Sequence, residues 1–229
     1  DGTVSFWREY EPKLRSEGTL LNQTTQSTVI GLTGLEIEST ETTCWPQGLS
    51  DAEVELACRY ATFELNGFPT WFPKLFEVHT KIVGDFLMQE VNSELSIECI
   101  QSDTNYIISD ISSTGRWAWE ALAPSIYQLL KKEPKNLSNL DRLLNILQGS
   151  TISNVLIKKL AHRKCRTLKK LENVARWFVV WTGVDPDTAI PAITIRIRNI
   201  DDQKERTLFA MMFVTCLLGG GRSDLNVRC

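Results

Sequence analysis

Apolar and polar positions along the chain alternate between two periods, and the elements follow from where one gives way to the other. Positions 4–17 carry an amphipathic pattern that predicts a short helix ending at Gly18, followed by a polar Asn/Gln/Thr/Ser loop. Over residues 28–38, β-branched content and the alternation of Leu35 and Ile37 with Glu36 and Glu38 predict a strand with one solvated face. Ser50 followed three residues on by Glu53 reads as a capping box. It opens a helix over 50–65 through Val54, Leu56, Ala57 and Ala61, closed by Asn66-Gly67. A second helix is predicted from Thr70 or Pro73 to Val91, with Pro73 in its first turn, where no amide donor is missed. Residues 94–111 form a second β region.

Beyond that, Thr114 or Gly115 introduces a helix through Trp117, Trp119 and Leu122 that Pro124 kinks or breaks. A short helix spans 139–147, and Thr151 or Ser153 caps the longest one, running to about Trp181. Residues 183–187 read as a turn, and the strict alternation over 192–198 as a third strand. A last helix over 202–218 is stopped by Gly219-Gly-Gly221. The fold class expected from this pattern is α+β and predominantly α-helical, a compact single body of about seven helices with two or three short strands in a small sheet. One domain over 1–229 is expected. A possible subdivision lies at the Pro134-containing linker 131–138, between an acidic α+β part (1–130) and a basic, mainly helical part (139–229).

Composition narrows the class. The 229 residues, 42% hydrophobic and 23% charged, suffice for a real core and exclude a disordered chain. The longest apolar run, 208–218, is too short to cross a hydrocarbon layer of ~30 Å as a helix, so it is expected as a buried helix without a transmembrane role. The six cysteines are isolated, with no zinc-like pairing, and the expectation is reduced thiols, no metal and no cofactor. No charged-then-apolar leader is seen, and reduced thiols in a chain of this size set the expectation of a cytoplasmic setting.

The net charge of −3 hides a division: residues 1–110 hold 6 Lys+Arg against 18 Asp+Glu, and residues 111–229 hold 19 against 10. The basic residues concentrate in Lys158-Lys-Leu-Ala-His-Arg-Lys-Cys-Arg-Thr-Leu-Lys-Lys170. On one continuous helix, Lys159, Arg163, Arg166 and Lys170 would line a ridge ~16 Å long at 1.5 Å per residue, opposite Ile157, Ala161, Cys165 and Leu168. A helix anchored on a dry face and basic on the other can present ammonium and guanidinium groups to phosphates. The candidate nucleic-acid-binding set is Lys158, Lys159, Arg163, Lys164, Arg166, Lys169 and Lys170, with Arg196 and Arg198 widening the patch. Solvation, or pairing with acids elsewhere in the fold, explains the same residues equally well.

Catalytic signals are sparse. With only His79 and His162 present, a histidine-rich metal site or a Ser-His-Asp triad has little to work with, and a Cys44 or Cys58 pair with His79 needs the fold to bring them together. Asp187, the apolar segment 193–197, then Asp202 and Lys204 form a nuclease-like pattern, because two carboxylates and a lysine on adjacent strands can hold a divalent ion. The seven tryptophans are spread as core anchors.

In general layout, a helical body with one basic surface and extendable ends, the chain resembles small RNA-virus nucleoproteins and matrix proteins. That resemblance implies a viral structural protein of the host cytoplasm or virion. The leading expectation is a non-enzymatic scaffold that binds RNA or another polyanion and self-associates through Phe6/Trp7 and the 211–218 segment, with peripheral membrane contact open. A metal-dependent nuclease, and an adaptor whose oppositely charged halves bind different proteins, stand beside it.

Overall fold

The computed structural model describes residues 2–19, 24–96, 106–132 and 139–218, and every regular element among them is helical. A four-residue α1 (Gly2–Ser5) precedes eleven helices of seven residues or more: α2 (Gln26–Glu41), α3 (Asp51–Ala61), α4 (Phe72–Val78), α5 (Thr80–Ser96), α6 (Tyr106–Ser113), α7 (Trp119–Lys131), α8 (Leu140–Gly149), α9 (Asn154–Thr167), α10 (Leu171–Val184), α11 (Pro186–Arg198) and α12 (Gln203–Leu217). Single 3₁₀ turns occupy Phe6–Arg8, Arg15–Glu17 and Arg116–Ala118. The expected α+β class with about seven helices and a small sheet is therefore corrected: the described residues contain no strand.

Each misread strand has a physical cause. In α2 the buried positions are Thr28, Gly31, Gly34, Leu35 and Glu38, a helical 3-and-4 spacing. Reading Glu38 as a solvent-facing residue produced the false alternation; its carboxylate is buried because it accepts from the Trp7 indole at 2.8 Å and from both Arg8 terminal nitrogens at 2.6 and 2.7 Å. Segment 192–198 lies in α11, which starts with Pro186 in its first turn and ends with Arg196 and Arg198 at the negative end of its dipole. Only Ala189 and Ile193, one helical turn apart, are buried there, and Ile195 stays exposed. Of the 94–111 region, the first residues continue α5, Tyr106–Ser113 forms α6, and 97–105 lie outside the described residues.

Three predicted helices break. The 4–17 segment is α1 and two 3₁₀ turns separated by extended chain, the predicted 70–91 helix divides at His79, and the predicted 153–181 helix divides at 168–170. A straight helix cannot fold onto itself, and the last break lets α9 and α10 pack side by side. Pro124 interrupts nothing, since α7 runs through it. The Ser50 capping box stands as predicted, with Ser50 N donating to Glu53 Oε2 at 2.8 Å and Ser50 Oγ accepting from Glu53 N at 3.4 Å.

The chain clusters into two compact units, Asp1–Leu122 and Ala123–Cys229, with the division inside α7. In the first, the N-terminal segment is strapped down by ion pairs. Arg8 bridges Glu38 and Glu53, and Arg59 reaches Glu17 at 2.6 Å and the Pro12 carbonyl at 3.0 Å. Tyr60 lies against Gly31, where an added Cβ would come within 2.2 Å of its ring, and its hydroxyl donates to the Tyr10 carbonyl at 2.6 Å. Trp45, Trp71, Phe72 and Trp117 form edge-on aromatic contacts beneath α4 and the Arg116–Ala118 turn. In the second unit α10 is the central helix, with Val174, Ala175, Trp177, Phe178, Val179, Val180 and Trp181 buried and α8, α9, α11 and α12 packed on it.

Two stability predictions follow from the first unit. Gly31→Ala should cost about 1–3 kcal/mol, since Tyr60 must move, as read by denaturant unfolding. Glu94 accepts from the Ile107 and Ile108 amides at 2.8 and 3.1 Å, yet burial pushes its carboxyl up from 4.5 to about 7. An acid whose folded pKa is raised loses stabilisation as pH climbs from its unfolded value through its folded one, here from 4.5 to about 7. The Arg8 contact and Ser50 hydrogen bonds that hold Glu53 down at about 2 act oppositely, stabilising above 4.5 and failing as pH falls toward 2. Glu94→Gln should therefore shrink the decline in thermal midpoint across the upper window and leave the acid limb in place, with a gain of about 1–2 kcal/mol above neutrality.

Candidate nucleic-acid interface

Helix α9 begins at Ser153, whose hydroxyl accepts from the Val155 amide, and buries Ile157, Leu160, Ala161, Lys164 and Cys165 at helical spacing against α10. The opposite side leaves Lys158, Lys159, His162, Arg163 and Arg166 exposed. The helix ends at Thr167, so the ridge from Lys159 to Arg166 is ~10 Å long, and Lys169 and Lys170 lie in the connection, with Lys170 as the N-cap residue of α10.

The structure sorts the predicted cations into engaged and available sets. Lys158 pairs with Asp185 at 2.5 Å, and this contact, seconded by the Thr188 hydroxyl, holds the Asp185 carboxyl below its usual range. Arg163 donates to the Lys131 carbonyl at 3.0 Å, and Lys164, only 5% exposed, donates to the Lys132 carbonyl at 3.4 Å. These two neighbouring cations close the C-terminal end of α7, where helix carbonyls lack intrahelical donors and the dipole favours positive charge. Lys164 thus stands on the packed side of α9.

Lys159, Arg166, Lys169, Lys170, Arg196 and Arg198 are exposed, and among the described residues none makes an ion pair with an acid. Arg196 lies near enough to Cys165 for its charge to act on that thiol. Two other acids of the unit, Glu172 and Asp141, both pair with Arg176, at 2.7 and 2.9 Å. By unit, Asp1–Leu122 holds 7 Lys+Arg and 19 Asp+Glu, a net −12, while Ala123–Cys229 holds 18 and 9, a net +9. The surplus of acids that could have quenched the ridge belongs to the other unit.

The nuclease-pattern residues sit at helix starts. Asp187 is in the first turn of α11, Asp202 is the N-cap of α12 and accepts from Glu205 N at 2.7 Å, and Lys204 follows in the first turn of α12. No group of three His, Cys, Asp or Glu side chains that could hold a metal occurs among the described residues. His79 Nε2 lies 3.0 Å from the Pro46 carbonyl, and burial raises the thiols of Cys58 and Cys165, which disfavours their thiolates. His162 packs edge-on against Trp181.

Sequence reasoning expected the 208–218 run as a buried helix and also named 211–218 as a self-association contact. The run 208–218 is helical, as α12, but only Phe209 is buried; Leu208, Met211, Val214 and Leu218 stand exposed. Its uniform apolarity had suggested complete burial. Among the described residues no helix is long and apolar enough to cross a membrane. Comparison with family models, curated proteins and solved structures finds no match.

The division between engaged and available cations is testable by stability. Lys164→Ala should destabilise by about 2 kcal/mol through lost packing and an abandoned carbonyl, whereas Lys159→Ala should fall within about 0.5 kcal/mol of wild type. Equal effects in urea unfolding would contradict the assignment.

Proposed function

We propose that this chain is a non-enzymatic assembly protein that binds RNA or a comparable polyanion through the basic surface of its second unit and associates with further copies of itself. The observation that carries the reading is the set of six exposed cations, Lys159, Arg166, Lys169, Lys170, Arg196 and Arg198, without acid partners among the described residues in a unit of net +9. Phosphate binding needs such groups held in position yet unneutralised, and α9 supplies both conditions by anchoring its dry face on α10. Among the described residues of α9 and α10 the one exposed ring is His162, which packs edge-on against Trp181, and Trp177 and Trp181 are buried, so the reading is of backbone contact without sequence preference.

A second reading has one observation in its favour. Units of net −12 and +9 also suit an adaptor that engages different proteins through each. The nuclease alternative loses its footing, because its geometry required adjacent strands and its residues instead begin helices.

Titration of labelled single-stranded RNA at a series of salt concentrations separates these readings. Affinity should fall log-linearly with salt, and the double variant Lys159→Glu, Arg166→Glu should reduce the magnitude of the slope by about 1.4, the loss of two phosphate contacts at ~0.7 each. Its thermal midpoint should stay near that of wild type. Absence of RNA binding at low salt would remove the polyanion reading in favour of the adaptor.

A further inference from the structure

The exposed side of α12 is a continuous apolar stripe. Leu208, Met211, Val214 and Leu218 recur at three, three and four residues, are 50, 61, 48 and 78% exposed, and span ~15 Å along the axis. From Thr207 onward the helix carries no charge; its charged residues, Lys204, Glu205 and Arg206, stand at its start behind the N-cap Asp202. A stripe of this length on a helix end matches the anchor pattern of helix-in-groove recognition.

A groove of about 730 Å³ lies in the other unit, between α2 and the chain that follows α3. It is lined mainly by Val29, Leu32, Ile37, Phe63, Leu65 and Phe68, with Val29 52% and Leu65 85% exposed. Glu36 and Glu64 stand at its rim. Contiguous exposed apolar surface of this kind marks sites of association.

We infer that the groove of one copy receives α12 of a second copy of this chain, in a heterologous contact that joins unlike surfaces. The inference rests on the assembly reading above and gives it a location. Charge complementarity selects the occupant. Groove-to-groove pairing brings together two units of net −12, and pairing of α12 with α12 brings together two of net +9; only the cross-pairing unites opposite signs. The uncharged turns of the helix, from Thr207 on, are the part that enters the groove. Because the two surfaces differ, the contact leaves one of each free in every pair, and growth continues until a ring closes or a filament extends.

The test is sedimentation of the full chain without RNA over a wide concentration range. Wild type should self-associate, and Met211→Glu and Leu65→Glu should each weaken association at least about tenfold. Both positions are more than half exposed, so folding, checked by circular dichroism and thermal melting, should be preserved; Val214→Lys and Val29→Glu serve as a second pair if either variant misfolds. The decisive sample is a mixture of the two variants. The Met211→Glu chain keeps its groove and the Leu65→Glu chain keeps its helix, so the mixture should form dimers that grow no further. A monomeric wild type, loss of association in Met211→Glu with none in Leu65→Glu, or a mixture that remains monomeric would each overturn the inference. RNA titration of the same variants distinguishes the two proposals. Salt-dependent RNA binding by a monomeric wild type would sink this inference and spare the polyanion reading, and association without RNA binding would do the reverse.

Discussion

Helix α10 buries Val174, Ala175, Trp177, Phe178, Val179, Val180 and Trp181 over most of its circumference, and a helix of that kind has only a narrow side, marked by Glu172, to give to water. The second unit is arranged by that constraint. Four helices lie against α10, and each spends its apolar face in covering it. For α9, the cost is met by Ile157, Leu160, Ala161 and Cys165, which leaves the other side rich in lysine and arginine. For α12, whose apolar residues outnumber the contacts available, burying Phe209 leaves Leu208, Met211, Val214 and Leu218 outside. The basic surface and the apolar stripe are thus two remainders of one packing problem.

The first unit is held by a different force. Glu38 is 8% exposed and would be strongly unfavourable there alone, but the Trp7 indole and both terminal nitrogens of Arg8 saturate its oxygens, while the guanidinium lies 4.2 Å above the Trp7 ring. A buried carboxylate with complete hydrogen bonding is tolerated; one with a partner removed is costly. This makes the N-terminal segment a structural part of the unit, and it explains how a unit of net −12 stays compact: Arg8 and Arg59, two of its few cations, are spent where the acids Glu38, Glu53 and Glu17 crowd. The partly buried Glu94, which accepts from the Ile107 and Ile108 amides, meets the same difficulty by holding its proton to about 7.

Helix ends were the most legible features of the sequence. The Ser50–Glu53 box, the Ser153 cap and the helix start after Asp202 each follow from a side chain acting on the nearest backbone, and each stands in the structure. What misled was period 2. Leu35/Glu36/Ile37/Glu38 and Ile193/Thr194/Ile195/Arg196 alternate, yet the first pattern depends on taking a buried glutamate for a solvated one and the second on taking the exposed Ile195 for a buried one. Neither exception is visible without the tertiary partners, Arg8 and Trp7 in one case and the limited area of α10 in the other. The break at 168–170 is similar: no glycine or proline marks it, and it arises because α10 must return along α9. The candidate site was legible as a concentration of charge, but the sequence had no means of showing that Arg163 and Lys164 face the end of α7 while Lys159 and Arg166 do not.

Charge segregation then connects the two proposed activities. If the 19 acids of the first unit were interleaved with the 18 cations of the second, the ridge on α9 would be neutralised within the chain and would offer phosphates nothing. Carried on different units of the chain, the same charges give unlike surfaces of different copies a reason to meet. The two contacts answer differently to salt. Phosphate binding consists almost wholly of counterion release and fades steeply as salt rises, whereas docking of an uncharged helix face is favoured by removing apolar surface from water and loses only its electrostatic guidance. An assembly built on α12 therefore outlasts its polyanion at high salt, and a chain that gathers on a polyanion at low salt does so with its apolar stripe, on a different helix from the ridge, still free to join the next copy.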